Sequence, residues 1–119
     1  MNETSRPGRK EKRDLKELPI IACDMTALDA AQRERQQVLM KTFHASIQAT
    51  EEIEDGYAFR LRADAATILA AAEFITIERL CCPFLTFELA VGTPDAPVWL
   101  RIRGGTGVKE FIKAELQAG

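Results

Sequence analysis

Residues 64–91 read DAATILAAAEFITIERLCCPFLTFELAV, and they hold both a change of secondary structure and the chain's most reactive side chains. Asp64 is placed to cap a helix, because a carboxylate just ahead of a helix accepts an amide that has no intrahelical partner. Ala65 to Leu80 is rich in strong helix formers. Ile68, Leu69, Ala72, Ile75 and Leu80 offer it a broad apolar face. Pro83 then forces Cys82 out of helical dihedrals, so the helix should end at Cys81. From Phe84 to Val91 the period drops to two, with Leu85, Phe87, Leu89 and Val91 on one side and Thr86, Glu88 and Ala90 on the other. That alternation predicts a half-buried strand.

Downstream, Gly92–Pro97 has turn composition. Val98 to Arg103 alternates again, with Val98, Leu100 and Ile102 directed inward and Trp99, Arg101 and Arg103 outward. A glycine-rich break at 104–107 precedes a last helix, Val108–Gln117, which should bury Val108, Phe111, Ile112 and Leu116. Thr106 is expected near its N-cap. The break lacks the spacing of a phosphate-binding P-loop.

Upstream, Tyr57 to Arg62 alternates with Tyr57, Phe59 and Leu61 on one face, and Asp55-Gly56 turns it back onto a strand over Ser46–Ile53. An earlier helix should start with Thr26 as cap and run to about Phe43. Its apolar positions are Leu28, Ala31, Val38, Leu39 and Phe43, and Arg33, Glu34, Gln36 and Gln37 form its polar face. Arg35 of this helix and Glu73 of the next could pair if the two pack side by side. Ile20–Cys23 reads as a short first strand. The element order then implies an α+β fold, a two-layer sandwich with an antiparallel sheet and helices on one face. A ferredoxin-like arrangement, with 20–23 as its first strand, is the leading version.

Length and charge bound the organisation. A chain of 119 residues, 46 % hydrophobic, makes one domain with its own core. Residues 1–18 read as a disordered charged leader ahead of a single domain over 19–119. Arg6, Arg9, Lys10, Lys12, Arg13 and Lys16 are basic there, but four acidic residues offset them and the whole chain carries −2. That is weak phosphate neutralisation, so nucleic acid is a disfavoured partner. No apolar run nears the roughly 20 residues of a membrane span. Met1 to Glu17 lacks an apolar signal region, so the expectation is a cytoplasmic protein with reduced thiols.

The three cysteines carry the candidate chemistry. Cys81 and Cys82 are adjacent, and adjacent cysteines rarely bond to each other because the ring they close is strained. They can share a soft cation, and thiolates suit Zn²⁺, Cu⁺, Hg²⁺ or trivalent arsenic. Cys23 is the candidate third sulfur, and Glu78, one turn before Cys81 and Cys82, the candidate oxygen donor or proton acceptor. A helix C-terminus should raise the thiol pKa values, which disfavours a nucleophile but not a metal ligand. No standard zinc spacing is present, and the single histidine, His44, reads as a residue of a helix end. Free cysteine is also a small hydrophobe, so core filling stays open.

The stretch Glu78 to Phe87, with Ala22-Cys23 upstream and Trp99-Leu100 and Gly104 to Phe111 downstream, resembles a family of small bacterial proteins marked by Glu-Arg-x-Cys-Cys-Pro-Phe-Leu. The resemblance covers about residues 20–116. It implies kinship and brings no activity with it.

A second candidate surface is the outward sheet face with Trp99, Arg101, Arg103, Arg60 and Arg62. Trp and Arg are favoured interface anchors, so a homodimer contact is one expectation for it. Three functions follow from these residues. The first is soft-metal or metalloid binding through Cys81, Cys82, Cys23 and Glu78, by a binding protein rather than an enzyme. The second is a thiol-dependent redox enzyme. The third is a homodimeric interaction module with structural cysteines.

Overall fold

The computed structural model describes residues 22–117. The leader, Ile20–Ile21 and the side chain of Leu116 lie outside the described residues. A 3₁₀ turn, Met25–Ala27, leads into helix α1 (Ala30–Ser46). Strands β1 (Ile47–Ile53) and β2 (Gly56–Leu61) form a hairpin, and helix α2 (Ala65–Cys81) follows. A second hairpin of β3 (Thr86–Ala90) and β4 (Val98–Arg103) precedes helix α3 (Val108–Ile112), which passes into a π-helical turn, Lys113–Gln117.

Asp29, not Thr26, caps α1. The Asp29 carboxylate accepts from the Gln32 amide at 2.8 Å and the Gln32 side chain accepts from the Asp29 amide at 2.9 Å. This reciprocal box satisfies two amides that the first turn leaves open. Thr26 is engaged in the preceding turn, where its amide donates to the Asp24 carboxylate. At α2 the expectation holds: Asp64 accepts from the Thr67 amide at 2.7 Å, and the helix stops at Cys81. Gly107, with φ of 89°, is the N-cap of α3, and Thr106 precedes it.

The buried stripe of α2 is rotated from the one expected. Thr67, Ala71, Phe74, Ile77, Glu78 and Cys81 face inward, whereas Leu69 is 69 % exposed. Residues 65–72 are apolar nearly all round, so their period selects no side. Phe74 does, by stacking on Phe43 of α1 with ring centroids 4.9 Å apart. On α1, Leu39 and Phe43 are buried as expected, but Val38 is exposed and Gln36 is buried in its stead.

The strands are ordered β1-β2-β4-β3, and every neighbouring pair is antiparallel. Phe59 lies opposite Leu100 and Leu61 opposite Val98. These residues join Phe43, Phe74, Val108 and Ile112 in one core, with the helices on that face of the sheet. The result is a two-layer α+β fold with an antiparallel sheet. The ferredoxin-like version is not what these strands form. Ala22 and Cys23 are not strand, and β2 and β4 bond directly where such a sheet would seat its first strand. Gly56 lets them approach, because a Cβ there would collide with the Ile102 carbonyl.

Candidate metal centre

The last turn of α2 carries Glu78 and Cys81 on its buried side, and Cys82 leaves the helix because Pro83 follows. A helix end leaves carbonyls without partners. The Asp24 amide meets one of them, donating to the Cys81 carbonyl at 2.7 Å. That main-chain bond lays residues 22–25 across the end of α2 and sets Cys23 against Cys82. The two form a disulfide with Cα atoms 4.9 Å apart and a sequence separation of 59. The expectation of three reduced thiols is thereby corrected. The cause is tertiary, since nothing local to Cys23 announces a partner so far along the chain.

Cys81 remains a free thiol and is fully buried. Its Sγ lies 3.8 Å from the Cys82 Sγ and 3.7 Å from the Glu78 carbonyl oxygen. Glu78 is 2 % exposed. Its Oε1 sits 3.7 Å from the Cys82 Sγ, and its Oε2 accepts a hydrogen bond from Gln36 Nε2 at 2.8 Å. The structure thus brings all four sequence-selected residues together: one ligand atom from each of Cys23, Glu78, Cys81 and Cys82 lies within 4.8 Å of the others.

Burial governs the protonation of this group. It pushes the Glu78 carboxyl above its ordinary value, against the Gln36 hydrogen bond, with Glu115 adding to the rise. Burial, and then the charge of Glu78, push the Cys81 thiol up to about 11. The direction is the one expected at a helix end, but desolvation is the leading cause.

An open cleft of about 430 Å³ reaches the group from outside, lined by Ala22, Cys23, Met25, Gln36, Met40, Glu78, Phe111 and Glu115. Cys23 and Glu78 front it, and Cys81 and Cys82 lie behind. Its charged lining residues are both acidic. Gln36 escaped the sequence reading, which set it on the polar face of α1. Its spacing to Leu39 and Phe43 is helical, so an amide inside that stripe was the available sign of a buried polar partner.

The other candidates lie elsewhere. Arg60, Trp99 and Arg101 share the sheet face opposite the helices, with Arg60 directly across from Trp99, and all three are half-buried rather than open to solvent. Arg103 is engaged with Asp55 at 3.2 Å and Glu88 at 2.8 Å. Arg62 donates to the Ala45 carbonyl and lies 3.5 Å from Asp64. His44 is not among the four clustered donors. Arg35 and Glu73 do pair, through two hydrogen bonds of 2.8 and 2.7 Å. Among the described residues, no helix is long and apolar enough to cross a membrane.

No family model, curated protein or solved structure matches this chain.

Proposed function

We propose that this chain binds a soft metal or metalloid ion through Cys23, Cys81 and Cys82, with Glu78 beside them, as a binding or sequestering protein. The observation that supports it is the convergence of three sulfurs and one carboxyl from two distant segments within 4.8 Å. Soft sulfur donors at that density favour thiophilic ions over hard ones. Ion binding belongs to the reduced form, since the Cys23–Cys82 bond occupies two of the three sulfurs.

The disulfide favours a second reading, a thiol-dependent redox enzyme with Cys81 as the attacking sulfur. The environment of Cys81 weighs against it. Cys81 is fully buried, and its thiol is pushed up to about 11. Such a thiol holds about one thiolate in 10⁴ at pH 7, and the thiolate is the nucleophile. An ion does not need a preformed thiolate, because coordination displaces the proton, at a cost in affinity that grows with the thiol pKa.

The test is a titration of reduced protein with Cd²⁺, followed by sulfur-to-metal absorbance and intact mass. One ion per chain is expected, lost in Cys82→Ser. Equal retention by Cys82→Ser defeats the proposal, as does failure of the wild type to retain either Cd²⁺ or arsenite.

A further inference from the structure

We propose that the occupant of this site is a trivalent metalloid hydroxide, with arsenous acid as its representative, held by all three sulfurs. The inference rests on the soft-ion reading and narrows it by two independent arguments, one of distance and one of charge.

Distance comes first. Metal–sulfur bonds are about 2.3 Å long, so a linear two-coordinate ion holds its sulfurs about 4.6 Å apart, and a pyramid or tetrahedron holds them roughly 3.5–3.8 Å apart. The Cys81 and Cys82 sulfurs are 3.8 Å apart. They span the edge of a three- or four-coordinate centre, not the ends of a linear one. Cys23, already against Cys82, supplies the next corner.

Charge separates the two remaining geometries. A divalent ion on three thiolates leaves one net negative charge, and coordinated Glu78 carboxylate would make it two. Cys81, Cys82 and Glu78 are all buried, and the cleft in front adds only Glu115 as a further charged group. An uncompensated buried charge is costly. A trivalent centre on three thiolates is neutral. It is pyramidal and needs no fourth ligand, which leaves Glu78 in its hydrogen bond with Gln36.

The reaction balances. A small-molecule thiol reductant opens the Cys23–Cys82 bond, two of its thiols becoming one disulfide while the protein gains two. Arsenous acid then exchanges its three hydroxyls for three sulfurs. Three S–H and three As–O bonds break, three S–As bonds form, three waters leave, and arsenic keeps its oxidation state. The cleft at Cys23, about 430 Å³, has the volume for a neutral hydroxide of this size.

The experiment uses the full chain, reduced with a phosphine and freed from excess, and titrated separately with arsenite and Cd²⁺. Intact mass, residual thiol count and arsenic X-ray absorption are the readouts. The expected result is one arsenic per chain, three As–S bonds, no residual thiol, and at least tenfold weaker arsenite binding in Cys81→Ala. Wild-type absorption alone decides the number of sulfurs if that variant does not fold. Arsenic held by two sulfurs, or Cd²⁺ retained without arsenite, overturns this inference and leaves the soft-ion reading standing. Failure of both probes ends both.

Discussion

Gln36 and Glu78 meet across the contact between α1 and α2, where the amide Nε2 donates to Oε2 at 2.8 Å and leaves Oε1 facing the Cys82 sulfur at 3.7 Å. Both side chains are buried. The amide therefore fixes which carboxyl oxygen addresses the sulfurs. Gln36→Ala leaves Glu78 without that donor, and such a loss costs about 1–3 kcal/mol. Urea denaturation should show it, together with weaker soft-ion binding. An unchanged midpoint would mean that water replaces the amide.

Glu78 makes stability depend on pH. Burial raises its folded pKa above the ordinary 4.5, so the folded chain binds this proton more tightly than the unfolded chain does. The stabilisation from Glu78 is fully present below its unfolded value and is lost as pH rises through its folded value. Wild type should lose stability relative to Glu78→Gln across that window. Denaturation midpoints of the two proteins that run parallel with pH would count against a buried carboxyl.

Cys81 should be silent to thiol reagents in the oxidised native protein. It is fully buried, and its thiol is pushed up to about 11. A chromogenic thiol assay should register no thiol in native buffer and one in denaturant. Three thiols in denaturant without reductant would mean that Cys23 and Cys82 are not bonded.

The Cys23–Cys82 bond closes a loop with a sequence separation of 59. Chain-entropy estimates for such a loop give about 4 kcal/mol. Reduction should lower the denaturation midpoint accordingly, and a bound soft ion should restore much of the loss by linkage. A midpoint indifferent to reductant would remove the bond's structural role.

Phe74 is the control for the fold itself. It is 1 % exposed, stacked on Phe43 and edge-on to Phe87. Phe74→Ala should cost about 3–5 kcal/mol. It should do so equally with and without reductant, because Phe74 lies two turns of α2 before the first sulfur of the site.

Local rules made much of this chain legible. Asp64, Pro83 and the alternation of Val98 to Arg103 each act through their immediate neighbours, and α2 and β4 lie where they imply. Thr26 misled because Asp29, three residues on, offers a second cap with Gln32 completing the box. Ile20–Cys23 looked like strand on composition, yet Ala22 and Cys23 follow the demand of a helix end for an amide donor. The α2 stripe was misjudged for want of contrast, since alanine and leucine surround its first half. Glu78, Cys81 and Cys82 were legible as a group through sequence adjacency. The approach of Cys23 and the partnership of Gln36 depend on how separate segments dock, which local pattern does not encode.

The bond from the Asp24 amide to the Cys81 carbonyl belongs to the main chain, so electron transfer to the sulfurs leaves it untouched. The same bond is available to hold Cys23 beside its neighbours when the covalent link is open. The local concentration of Cys23 is that of an intramolecular partner, set by a tether one residue long. A sulfur held this way does not have to be recruited from a wandering chain, and the covalent link can open and close without unfolding the strap that carries it.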